Sequence, residues 1–224
     1  MGTTLELTAA DGHRCSAYRA DPPGKSRGGL VVVQEIFGVN SHIRGVADGF
    51  AADGYVAIAP ALFDRVERGL DIGYSQPEID RGRSLMQKMS MDDALMDVAA
   101  AVAFASAATG KKVGTTGYCW GGTVAWVSAA KLDGLACSAP YYGGGILANK
   151  DLKPRCPVML HFGETDHAIP IGDVRAWLAA RPDLTAHIYG AGHGFNCDQR
   201  GSYHAESAKV ARARTLAFFR QYVG

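Results

Sequence analysis

Apolar residues in this chain come in short unbroken runs, separated by stretches in which they recur every three or four positions. LVVVQE (30–35), YVAIAP (55–60) and KVGTTG (112–117) carry little polar alternation, which is how strands covered on both faces of a parallel sheet read. HIRGVADGFAAD has helical spacing; Asn40 or Ser41 can cap its start, and it stops at Gly54. Two strands precede these elements, TLELTA and RCSAYRA around a turn at Asp11-Gly12, and DPPGKSRGG is a surface turn. Pro60 closes YVAIAP, and residues 61–75 hold no period. MQKMSMDDALMDVAAAVAFASAA is helical, in one segment or two. Helix TVAWVSAAKL, strands LACSAPY and PVMLHFG, helix DVRAWLAA, strand TAHIYG and a last helix SAKVARARTLAFFRQY complete the pattern.

This alternation predicts an α/β fold with a mostly parallel sheet and helices on both faces, in a single domain over residues 1–224. Right-handed crossovers then gather the loops at the carboxyl ends of the strands. Gln34-Glu35-Ile36, Gly117-Tyr118-Cys119 and the stretches reaching Asp166 and His193 all follow strands, so they are expected at one rim despite their distance in sequence.

Composition adds little beyond exclusion. Hydrophobic residues are 47% and charged residues 20% of 224, an ordinary globular balance. The formal charge of +1 gives no basic excess for a nucleic-acid partner, and the Arg-rich KVARAR segment reads as a solvated helix face. No segment has the roughly 20 apolar residues needed to cross a bilayer, and MGTTLELTAADGH lacks the form of a signal peptide. Five cysteines without regular spacing argue for free thiols in a cytoplasmic setting rather than a disulfide framework. A monomer is favoured.

The chemistry begins at GYCWG (117–121). Glycines two positions either side of Cys119 let a strand and a helix meet in a sharp turn without Cβ collisions. That turn leaves the N–H of Trp120 unpaired at a helix start, aimed at developing negative charge, and a helix N-terminus favours thiolate. A buried core cysteine beside a tight turn has the same local pattern. Asp166 in HFGETDHAIP, taken alone, suits a helix cap or turn, and a single loop histidine such as His193 in GAGHGF is uninformative. Cys, Asp and His together, each after a strand and in that chain order, match the order of α/β-hydrolase triads: histidine takes the thiol proton and aspartate fixes its tautomer. Ile36 can supply a second oxyanion N–H. Glu35 either pairs with a surface arginine or faces the site. The remaining histidines are scattered without metal-ligand spacing, and GxGxxG and GxxxxGK[ST] are absent, so neither metal nor cofactor is expected.

QEIFGVN (34–40), GYCWGG (117–122), GETDHAIP (163–170) and AGHGFNCD (191–198) resemble the dienelactone hydrolase, or carboxymethylenebutenolidase, family over nearly the whole chain. The resemblance implies an α/β-hydrolase fold and enol-lactone opening through Cys119, His193 and Asp166, with Ile36 and Trp120 as the oxyanion hole. It implies that Glu35 contacts the resting thiol and shifts when substrate binds, and that Phe37, Tyr142 and Phe195 belong to the substrate pocket. Family members clamp a substrate carboxylate with two arginines. One of those positions, just past the histidine, is Cys197 here; Arg81 and Arg83 are candidates for the other. This departure predicts broader tolerance of neutral esters and lactones. Two rival classes remain, a flavodoxin-like glutaminase and a non-catalytic binding protein on a hydrolase fold; the 27-residue interval from Asp166 to His193 disfavours the first and the intact triad the second.

Overall fold

The computed structural model describes residues 2–224. Its centre is an eight-stranded sheet: β1 (Thr3–Thr8), β2 (Arg14–Ala20), β3 (Gly29–Val33), β4 (Val56–Pro60), β5 (Val113–Tyr118), β6 (Leu135–Tyr141), β7 (Met159–Gly163) and β8 (Thr185–Tyr189). The spatial order is β1-β2-β4-β3-β5-β6-β7-β8. β2 runs antiparallel to both β1 and β4, and the strands from β4 to β8 are parallel. Helices α1 (Ser41–Ala52), α2 (Gln76–Lys88), α3 (Met91–Thr109), α4 (Trp120–Lys131), α5 (Ile171–Ala179) and α6 (Ala205–Tyr222) connect or follow them.

The unbroken apolar runs have a direct cause. All five residues of β3 are buried, and successive side chains enter opposite cores: Leu30 and Val32 pack with Ile43, Phe50 and Phe219 of α1 and α6, while Val31 and Val33 pack with Ala94, Val98 and Ala101 of α3. A polar residue on either face of such a strand loses its water without gaining a partner. Asn40 caps α1, its side chain accepting from the Ile43 N–H.

The region around residues 61–90 is more structured than its pattern suggests. A single 3-10 turn covers Leu62–Arg65, and α2 begins at Gln76, ten residues before the helical period becomes readable. Ser75 and Glu78 form a reciprocal capping box there, and Pro77 in the first turn loses no intrahelical bond. Local capping, not an apolar stripe, starts this helix. Ser90 then caps α3 as a separate segment. Among the described residues no helix is long and apolar enough to cross a membrane.

Candidate active site

β3, β5, β7 and β8 are all parallel members of the sheet, so the segments after them emerge at the same rim. Cys119 is the single residue between β5 and α4, with φ 56° and ψ −119°. A non-glycine residue at positive φ costs roughly 1–3 kcal/mol unless its surroundings hold it. They do: the Cys119 N–H donates to the Tyr141 carbonyl at 3.1 Å, and the Cys119 carbonyl accepts from Gly122 at 3.0 Å. Gly117 and Gly121 make the turn possible. A Cβ on Gly117 would lie 2.0 Å from the Gly121 carbonyl oxygen, and one on Gly121 would lie 2.3 Å from that of Gln34.

The thiol faces a polar chain. His193 Nε2 lies 3.1 Å from Cys119 Sγ, and His193 Nδ1 lies 2.8 Å from Asp166 Oδ2. The other Asp166 oxygen accepts from the Ala168 N–H at 2.8 Å, which leaves the buried carboxylate little freedom to rotate. Burial alone would lower the His193 pKa, but the hydrogen bonds to Asp166 and Cys119 outweigh it and raise it to about 10. The surroundings therefore favour imidazolium beside sulfur. Tyr142 meets the imidazole edge-on, with ring centroids 5.2 Å apart.

Cys119 and His193 open onto a cavity of about 430 Å³ lined also by Ile36, Phe37, Trp120, Thr123 and Arg200, with Ile79, Arg83 and Met86 from α2. Trp120 is the first residue of α4, and among the described residues neither its N–H nor that of Ile36 has a hydrogen-bond acceptor. Both residues line the same cavity as Cys119. A larger groove of about 860 Å³ beside α5 contains no cysteine or histidine.

Several expected contacts are arranged differently. Glu35 is fully buried, but its carboxylate bonds to Arg200 Nη1 at 3.4 Å and to the Tyr74 hydroxyl at 3.5 Å, not to Cys119. The thiol is engaged by His193 instead. Arg81 turns away from the cavity and pairs with Glu67 on the surface; Arg83 reaches the cavity from α2 and is 63% exposed. Residues 81 and 83 are some 200° apart around a helix, so they cannot both face one pocket. Phe37 lines the cavity. Tyr142 and Phe195 are wholly buried behind it and form none of its wall.

The residue that the sequence reading missed is Arg200. Its side chain is only 18% exposed, its guanidinium lies 5.6 Å from the Phe37 ring centroid and 5.8 Å from that of Tyr74, and it lines the cavity. It stands three positions beyond Cys197, on a loop folded back on itself by bonds from Cys197 to Gly194, Arg200 to Cys197 and His204 to Phe195, at 2.9, 3.1 and 3.0 Å. The signal in the sequence is an arginine in a loop leaving the histidine, at no fixed spacing.

A mostly parallel sheet with a strained residue between a central strand and its helix, and acid and histidine on later loops, defines an α/β-hydrolase. Residues 15–223 match the dienelactone hydrolase family. A provisionally named carboxymethylenebutenolidase from Azospirillum brasilense is 36% identical, covering 99% of this chain and 100% of that one. Another from Synechocystis sp. is 35% identical, covering 97% and 96%. The crystal structure of a provisionally named dienelactone hydrolase from Klebsiella pneumoniae superposes with a TM-score of 0.83 at 32% identity, covering 99% of this chain and all of that one. The chain belongs to the dienelactone hydrolase family and is, with it, an ester or lactone hydrolase.

Proposed function

We propose that this enzyme opens small carboxylated lactones, or cleaves similarly activated esters, through a thioester on Cys119. The observation that carries the reading is the continuous contact from Asp166 through His193 to Cys119, ending at a cavity with two acceptor-free amides. Thiolate attacks the carbonyl carbon, and the oxyanion is stabilised by the Ile36 and Trp120 N–H groups. Collapse expels the enolate or alkoxide, which takes its proton from His193. The same imidazole then accepts a proton from water as it attacks the thioester, and the acid leaves with Cys119 restored.

An enolate suits this sequence of steps because it is a better leaving group than a simple alkoxide, so the tetrahedral intermediate need not revert by losing thiolate. Glu35 is held by Arg200 away from the sulfur, an arrangement that suits attack rather than protection of a resting thiol. Arg200 also supports a carboxylated substrate: a largely buried cation in an apolar wall is a place for an anion. The loss of the expected arginine at Cys197 therefore does not imply a neutral pocket.

The test is acyl-enzyme trapping. A chromogenic ester should give a burst of one product per active site, and mass spectrometry of a rapidly quenched reaction should find the acyl group on the peptide bearing Cys119. Cys119→Ala should retain the fold and lose turnover by several orders of magnitude. Near-normal turnover by that folded variant, or acylation on another residue, would overturn the proposal.

A further inference from the structure

Behind the reacting thiol lies a second group of chemically active side chains. Glu35, His42 and Cys197 are each buried, and one ligand atom from each lies within 4.8 Å of the others. Glu35 comes from the segment just after β3, His42 from the first turn of α1 and Cys197 from the loop after His193. They are brought together only by the fold. The mechanism above uses neither His42 nor Cys197.

Two further atoms point to a ligand at this place. His42 is 5% exposed, and its Nε2 is buried without a hydrogen-bond partner. The opposite ring nitrogen, Nδ1, is 3.1 Å from Asp198 Oδ1. The Tyr142 hydroxyl is likewise buried and unpartnered; after burial itself, the charge of Glu35 is the largest influence on its ionisation, and Cys197 also contributes. Buried polar atoms are almost always satisfied, so two orphans beside a carboxylate and a thiol need explanation. A histidine oriented by a carboxylate through one nitrogen, with the other unpaired, and grouped with a thiol and a second carboxylate, is the arrangement of a metal-ligating imidazole with its outer partner.

We infer that Glu35, His42 and Cys197 form a site for one borderline-soft divalent cation, Zn(II) being the best match, with Asp198 orienting the histidine. Sulfur, nitrogen and oxygen donors in this combination select zinc or cobalt over magnesium or calcium, which prefer oxygen alone. The atoms must close to bond lengths of about 2.0–2.3 Å, a movement of side chains rather than of elements. Binding replaces the thiol proton, which leaves to solvent, and the carboxylate and thiolate together neutralise the cation. Arg200 is the nearby like charge; it sits on the Glu35 oxygen Oε1, leaving Oε2 for the metal once the Tyr74 hydroxyl turns aside. Ions can arrive from a groove of about 330 Å³ on the far side of α1, whose wall includes both His42 and Asp198. The site rests on this geometry alone. Its effect on turnover rests on the proposed place of Arg200 in the substrate pocket: a cation bound to the carboxylate that pairs with Arg200 displaces that guanidinium and lowers the rate.

The test uses Co(II) as a spectroscopic substitute in the Cys119→Ser enzyme, where the reacting thiol cannot bind metal. One equivalent should bind with a near-ultraviolet thiolate-to-cobalt charge-transfer band. The band should vanish in Cys119→Ser/Cys197→Ser, and affinity should fall at least tenfold in Cys119→Ser/His42→Gln and by about 10- to 100-fold in Cys119→Ser/Asp198→Asn. Circular dichroism of each variant establishes that it is folded. Absence of the band at excess cobalt, or its persistence without Cys197, would overturn the site. Zinc inhibition is then compared between His42→Gln and the unmodified enzyme. Inhibition equal in both would mean that zinc acts at Cys119, and the regulatory part would fall while the cobalt result still decides the site.

Discussion

Replacing Arg200 with glutamine removes a cation that has two neighbours to answer to, Glu35 below it and the cavity above. The guanidinium and carboxylate are 3.4 Å apart, for which Coulomb's law gives about 5 kcal/mol at an effective dielectric of about 20. Desolvation of both groups offsets much of that, but deleting one partner leaves Glu35 buried and uncompensated, a change that typically costs about 3–5 kcal/mol. The long contact argues for about 3 kcal/mol, or a fall in Tm of roughly 6–12 °C for a chain of this size. Glu35→Gln/Arg200→Gln should recover part of the loss, because no charge is then stranded. Catalysis is read separately with a matched pair of lactones, one carrying a free carboxylate and the other its methyl ester. Losing a charge-assisted contact of about 1.5–3 kcal/mol should lower kcat/KM for the acid about 10- to 100-fold, with a much smaller fall for the methyl ester. Equal falls for both substrates would refute carboxylate recognition by Arg200. An unchanged Tm would refute its ion pair with Glu35.

Brief treatment with limiting iodoacetamide should label Cys119 before any other cysteine, since burial raises the pKa of Cys15 and Cys197 to about 12 and of Cys156 to about 11; peptide mapping that finds another thiol modified first would count against an activated Cys119. Asp166→Asn should slow turnover by roughly 10²–10⁴, by comparison with the serine triad whose aspartate variant provides that scale. It should also move a pH limit. His193 has its pKa raised to about 10 in the folded protein, so its stabilising effect is complete below the unfolded value of about 6.5 and is lost as pH rises through the folded one. Removing Asp166 should bring that alkaline loss to lower pH in Tm measurements, and superimposable profiles would exclude the link. Gly82→Ala should lower both Tm and kcat, because its Cβ would meet the Ile36 carbonyl oxygen at 2.3 Å and push α2 against the segment that carries an oxyanion donor; wild-type kinetics would mean that this segment yields freely.

The parts of this enzyme that can be read from its sequence are those set by short-range rules. Two-sided burial makes β3 an unbroken apolar run, and the elbow at Cys119 needs glycines at fixed offsets, so both are visible in one dimension. The order of Cys119, Asp166 and His193 follows because each stands after a strand of the same sheet. Arg200 was not legible, since its approach to the cavity depends on the path of a loop with no period, and Cys197 occupies the spacing at which an arginine was sought. The same limit hid the partner of Glu35. Arg81 and Arg83 were indistinguishable until the rotation of α2 was known, and α2 itself lacked a readable apolar stripe at its start. Its beginning is instead written in Ser75, Pro77 and Glu78.

The loop that carries Arg200 leaves His193, turns back on itself and is closed by the bond from His204 to the Phe195 carbonyl, just before α6 begins at Ala205. Its ends are held by members of the loop itself, Phe195 and Cys197 in the buried interior and His204 as the cap of α6, while residues 199–203 between them lie outward and are mostly exposed. In evolutionary terms that outer stretch is an exchangeable cassette: its composition can drift, and with it the position of the cation, while the histidine and the helix stay where they are. Related enzymes can therefore acquire new substrate preferences by changing about five residues without disturbing the reacting groups. For protein engineering it marks residues 199–203 as the segment to randomise.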